Sequence, residues 1–130
     1  MNFIIDTSAY SEAQRGNRAV IDLMNQADQI YMPTIVEAEL RAGYSFGTKE
    51  AENCALLHKF LKQPSVSVIN IGLNTPKVFA QIYLELRSDG FKIGQNDLWI
   101  ASLARELQLP LLTLDHDFSR VKYLKLVPVA

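Results

Sequence analysis

Residues 2–9 read NFIIDTSA. Phe3, Ile4 and Ile5 form a short apolar run, the pattern of a strand buried on both faces. The run passes directly into Asp6 and the hydroxyls of Thr7 and Ser8. A thin buried strand more often closes on a Gly or Asn turn. A carboxylate in that place raises the question of whether other acids come to meet it.

The rest of the chain alternates. NFIID is followed by a helical pattern in GNRAVIDLMNQA, where Val20, Leu23, Met24 and Ala27 recur at helical spacing. QIYMP reads as a second strand, and TIVEAELRAG as a helix that Gly43 can end. KEAENCALLHKFLKQ reads as a helix stopped before Pro64, and VSVINI as a third strand. TPKVFAQIYLELRSDG carries Pro near its start and Gly90 after its end, a helix. NDLWIASLAREL is a fifth helix and LPLLTLD a fourth strand, with LKLVPV a candidate short edge strand. Strands separated by helices predict an α/β fold, a mostly parallel central sheet flanked by helices in three layers.

Bulk properties narrow the class. At 130 residues, 48% apolar and 21% charged, the chain has the size and balance of one globular domain. No apolar run approaches the roughly 20 residues of a membrane span. The N-terminus lacks a basic leader and a signal-type cleavage site, so the expected setting is cytoplasmic, away from membranes. The single cysteine, Cys54, has no partner for an internal disulfide and lies in an apolar helical stretch, where a buried inert thiol is expected. A net charge of −1 does not announce a nucleic-acid binder. Acidic metal ligands would offset basic residues in that total.

In parallel sheets, ligands bind beyond the carboxyl ends of the strands, and the acids fall there. Asp6 ends the first strand and Asp115 the fourth, Asp97 opens the fifth helix, and Glu39 lies in the second turn of the helix after strand two. Each has a local alternative. Asp6 can cap a helix or form a turn, Asp97 can favour the positive end of its helix with Asn96 as cap, and Asp115 and Asp117 can be loop residues. The two glutamates separate by geometry. Thr34 with Glu37 three residues on is the capping-box pattern, which accounts for Glu37. Glu39 lies about 200° further round the helix, on the face of Val36, Leu40 and Gly43. A carboxylate on an inward face is costly unless paired or metal-bound. Gathered carboxylates repel and raise one another's pKa, so such a cluster calls for a cation. All-oxygen ligands suit Mg²⁺ or Mn²⁺, and such sites commonly cleave phosphodiesters.

Four segments in order, IIDTSA, VEAELRAG, QNDLWIAS and LLTLDHDFSRV, resemble the PIN domains, specifically the VapC-type toxin ribonucleases. The resemblance spans nearly the whole chain and implies a single PIN-like nuclease domain over residues 1–130. It implies an acidic quartet of Asp6, Glu39, Asp97 and Asp115, with Asp6 and Asp97 as core metal ligands and Glu39 and Asp115 acting through water or a second ion. Ser8 and Thr113 match the supporting hydroxyls. Asp117, close to Asp115 across His116, can replace it, and Asn96 is a further candidate.

The activity so implied is Mg²⁺- or Mn²⁺-dependent endoribonuclease cleavage leaving a 5′-phosphate and a 3′-hydroxyl. The implied assembly is a homodimer, inhibited by a cognate antitoxin through which alone it meets operator DNA. Arg15, Arg18, Arg41 and Lys92 are candidate RNA contacts, and His58 and His116 carry no assigned role. Two other classes remain in view. One is a PIN-like RNA-binding or interaction module without catalysis. The other is an acidic-cluster phosphatase of the haloacid-dehalogenase type, which requires a second Asp where this chain has Ser8. A phospho-receiver requires an Asp at the end of its third strand, where this chain has Asn70.

Overall fold

The computed structural model describes residues 1–130. Four strands, β1 (Asn2–Ile5), β2 (Gln29–Pro33), β3 (Val66–Ile69) and β4 (Leu111–Leu112), form one sheet in the order β3-β2-β1-β4. Every pairing is parallel, with Phe3 opposite Ile30, Ile5 opposite Leu112 and Ile30 opposite Val66. The helices are α1 (Thr7–Gln14), α2 (Arg18–Gln26), α3 (Thr34–Ser45), α4 (Glu50–Leu61), α5 (Thr75–Ser88) and α6 (Gln95–Leu107), followed by a 3-10 helix, His116–Arg120.

Phe3, Ile4 and Ile5 are all fully buried. Consecutive strand residues point to opposite faces, so both faces of β1 are covered, as the unbroken apolar run predicts. From β1 the chain builds β2 and β3 to one side and β4 to the other. The carboxyl end of β1 is thus the switch point of the sheet, where a crevice opens. Asp6 is the next residue.

Several boundaries differ from the sequence reading. The segment after Asp6 is a helix, α1, so NDLWIASLAREL lies in the sixth helix and not the fifth. α3 continues past Gly43 to Ser45. Its cap is Pro33, Thr34 is already its first residue, and no side-chain capping bond forms, so the capping box is absent. Glu37 instead pairs with Arg41 one turn on, at 2.8 Å. α6 begins after Gly94, so Asn96 is inside the first turn and is not the cap. β4 is only Leu111–Leu112. Asp115 therefore lies beyond the strand, as N-cap of the 3-10 helix. LKLVPV contributes one bridge, Leu126 to Leu111, and no strand. Cys54 is half-buried rather than buried.

Two contacts fix the elements that frame the crevice. Phe118, fully buried, plugs the 3-10 helix into the core. Arg105 on α6 grips Glu85 of α5 with two nitrogens, at 2.8 and 3.1 Å, and donates to the Lys122 carbonyl. Charge-assisted bonds from Arg105 hold the Glu85 carboxyl below its usual range. α5, α6 and the segment after the 3-10 helix are thereby joined. Truncating a buried Phe costs about 3–5 kcal/mol. Phe118→Ala should lose that much in urea unfolding and Phe118→Leu clearly less. A loss below 1 kcal/mol for the alanine variant would show that the 3-10 helix is not anchored through this ring.

Candidate active site

Asp6 caps α1, accepting from the Ala9 amide at 2.9 Å. The Ser8 hydroxyl lies 2.8 and 3.0 Å from its two oxygens, and the Thr113 hydroxyl also donates to it. Both hydroxyls reach further. Ser8 accepts from the Leu114 amide and Thr113 from the Asp115 amide, each at 3.0 Å. These bonds stitch the start of α1 to the exit of β4. The capping reading of Asp6 and its place in the cluster are therefore both realised. Asp6 is only 4% exposed. Burial pushes its carboxyl above the usual value, outweighing the donors from Thr113, Ala9 and Ser8, and Asp115 adds repulsion.

The other acids arrive on separate elements. Asp97 sits in the first turn of α6, where the helix dipole favours negative charge. Its pKa is nonetheless raised to about 6, first by burial and then by Asp115, Glu39, Asp6 and Asp117. The other three residues of the expected quartet, with Asp117, thus lie close enough to Asp97 for their charge to reach it. Asp115 caps the 3-10 helix by accepting from the Asp117 amide at 2.9 Å. Glu39, Asn96 and Asp97 line a shallow cleft of about 280 Å³ with Gly94 and Gln95. As the side chains stand, no three acids surround a single point at ligating distance.

Thr7 makes a contact to the acidic group that the sequence reading does not include. Its hydroxyl donates to Glu39 at 2.8 Å, tying the first turn of α1 to the second turn of α3. The family motif has its hydroxyl at the adjacent position, Ser8. The signal available for Thr7 was its position directly after an acid at a helix start. Glu39 is half-buried between Val36 and Leu40, which are buried, while Gly43 is exposed.

The candidate basic residues divide. Arg15, the C-cap of α1, pairs with Glu12 of that helix, and Arg18 with Asp22 and Arg41 with Glu37 pair within α2 and α3. Lys92, between α5 and α6, is exposed and makes no ion pair. His58 and His116 are exposed and take no part in the cluster.

A family model, the PIN domain, matches residues 3–124. Ribonuclease VapC of Rickettsia bellii is 30% identical, with 99% of this chain and 97% of that protein aligned. Ribonuclease VapC5 of Mycobacterium tuberculosis is 24% identical over 89% of this chain and 84% of that protein. A crystal structure of VapBC2 from Rickettsia felis, bound to a DNA fragment from their promoter, superposes with a TM-score of 0.87 at 27% identity, covering both chains fully. The buried acid after the central strand, the acids that meet it and the matched length have one reading: the chain belongs to the PIN domain family, among the VapC ribonucleases.

Proposed function

We propose that the chain is a divalent-metal-dependent endoribonuclease, the toxin of a toxin–antitoxin pair. One observation carries this reading. Asp6, Glu39, Asp97, Asp115 and Asp117 gather at the carboxyl end of β1, and none of the six ion pairs in the chain includes any of them. A charge cluster with no internal counter-ion is held at a cost that an external cation relieves.

The donor chemistry fits Mg²⁺ or Mn²⁺, since every candidate ligand is oxygen. Mg²⁺ keeps several of its waters and is commonly held through one or two carboxylates directly, so three convergent donors are not required. Asp6 and Asp97 would hold the ion, with Glu39 and Asp115 acting through water or a second ion. When bound, the ion supplies Lewis acidity to the phosphodiester and to the attacking water. The chain supplies placement. Ser8 and Thr113 fix Asp6, Thr7 fixes Glu39, and the 3-10 helix holds Asp115 as its cap and Asp117 in its first turn. Asn96, beside Asp97 in the cleft, would contact the phosphate or a water.

A homodimer and a cognate antitoxin are the proposed partners, with operator DNA reached through the antitoxin. The resemblance to VapBC2 of Rickettsia felis, solved on promoter DNA, supports the antitoxin. No helix is long and apolar enough to cross a membrane, and a cytoplasmic setting completes the proposal.

Purified protein should cleave single-stranded RNA with Mg²⁺ or Mn²⁺ and stop on chelation with EDTA. Glu39→Gln should reduce cleavage by orders of magnitude, and Thr7→Val should reduce it while Thr7→Ser retains it. Glu37→Gln should cost little, because its exposed i,i+4 pair with Arg41 contributes only about 0.3–0.5 kcal/mol to stability. Cleavage undiminished by chelation would remove the metal from the mechanism, and loss of activity in Glu37→Gln alone would misassign the glutamate.

The cluster also sets a pH signature. The Asp97 carboxyl titrates near pH 6 in the folded protein, above its ordinary 3.8. Between those values the metal-free folded chain binds protons that the unfolded chain has released, so this group's contribution to stability falls as pH rises. Above pH 6 the penalty is complete. In EDTA, the melting temperature of Asp97→Asn relative to the parent should therefore climb from pH 4 to pH 6 and then level. A difference that is constant across that range would show that Asp97 bears no such strain.

A further inference from the structure

A groove of about 780 Å³ runs beside the acidic cleft, within the range of ligand pockets. Phe79, Tyr83, Leu86 and Phe91 form its apolar wall, and Arg87 and Lys92 stand among them. It shares Gly94 and Gln95 with the cleft that holds Glu39 and Asp97, so the two are continuous. No carboxylate lines it, and neither Arg87 nor Lys92 is in an ion pair. A third cation, Arg120, lies 3.8 Å over the Phe91 ring.

We propose that this groove carries the single-stranded RNA flanking the scissile phosphate. The inference rests on the nuclease reading above and adds to it the path of the strand. A bound ion offsets the cluster at the scissile phosphate itself, but the phosphates on either side of it lie beyond that ion, and cations beside the cleft favour their path. Arg15, Arg18 and Arg41 are committed to carboxylates of α1, α2 and α3. Arg87 and Lys92 are uncommitted and stand in the groove that opens on Asp97. Cations that track a backbone beside aromatic rings that stack bases are the two elements of sequence-tolerant single-strand binding. The groove has both: Tyr83 is 48% and Phe91 38% exposed in it. Charge complementarity selects RNA over an apolar helix or a second copy of this chain, neither of which needs free cations and an absence of carboxylates.

The test uses full-length protein carrying Asp97→Asn, so that RNA binds without being cut. A fluorescein-labelled 12-nucleotide RNA of mixed sequence is titrated by anisotropy with Mg²⁺ present, over a range of salt. Arg87→Gln with Lys92→Gln should raise Kd at least about tenfold. It should also flatten the slope of log Kd against log salt by about 0.7 for each cation removed. Tyr83→Ala should raise Kd about tenfold, the share of one stacked base, with little change in slope. Arg15→Gln should change neither, and sedimentation should show the same oligomeric state throughout. An unchanged Kd and slope in the double variant would overturn the groove, as would a rise in Kd accompanied by loss of a dimer, which would make the groove a seat for a second copy. The nuclease reading fails separately, if the parent with Asp97 intact binds this RNA through the groove and does not cut any RNA.

Discussion

A carboxylate is buried at the end of the central strand, and much of the molecule is arranged around that fact. An ionised acid taken out of water demands hydrogen-bond donors. Asp6 receives them from the Ala9 amide, the Ser8 hydroxyl and the Thr113 hydroxyl. Each donor also does a second job. Ala9 is in the first turn of α1, so its bond to Asp6 starts that helix. Ser8 and Thr113 accept the amides of Leu114 and Asp115, which sets the course of the chain out of β4. The same bonds that make Asp6 tolerable decide where Asp115 stands.

Donors do not fully compensate. Burial still leaves the Asp6 carboxyl raised, and Asp97 is raised as well, by its own burial first and then by four neighbouring acids. The fold brings these groups in on four separate elements: the exit of β1, α3, α6 and the 3-10 helix. It then braces them, with Thr7 on Glu39, Phe118 under the 3-10 helix and Arg105 joining α5, α6 and the following loop. The chain holds charge that it does not neutralise, at the switch point of a parallel sheet. That is the physical content of the proposal that an external cation completes the site.

Strands β1 and β2 were legible because their apolar runs are bounded by Asp and Pro; β3 was legible within VSVINI but ends at Ile69, before Asn70. That Asp6, Glu39, Asp97 and Asp115 come near one another was legible because each falls at or near the carboxyl edge that such strands create. α1 was not: TSAYSEAQ buries only Ala9 and Tyr10 and has no sustained apolar face. What starts it is the Asp6 cap, a residue that reads equally as a turn. The capping box at Thr34 failed for a related reason. The backbone turns into the helix at Pro33, so Thr34 is past the capping position and Glu37 is free to take Arg41. β4 was overestimated because an apolar stretch, LPLLTL, does not reveal how few residues find a partner strand. The groove has no sequence signature, since it forms where the end of α5 and the following loop meet the start of α6.

The central claim is that this uncompensated cluster is a site for a divalent cation. Mn²⁺ titrated into metal-free protein, with free ion followed by electron paramagnetic resonance, tests it without reference to any substrate. The account predicts saturable loss of the free-ion signal for the parent and for Glu37→Gln. It predicts strongly weakened binding for Asp97→Asn and for Asp6→Asn, and Asp97→Asn, which breaks none of the bonds that hold Asp6, should melt no lower than the metal-free parent. Equal Mn²⁺ affinity in the parent and both amide variants, or no saturable binding by the parent, would contradict it.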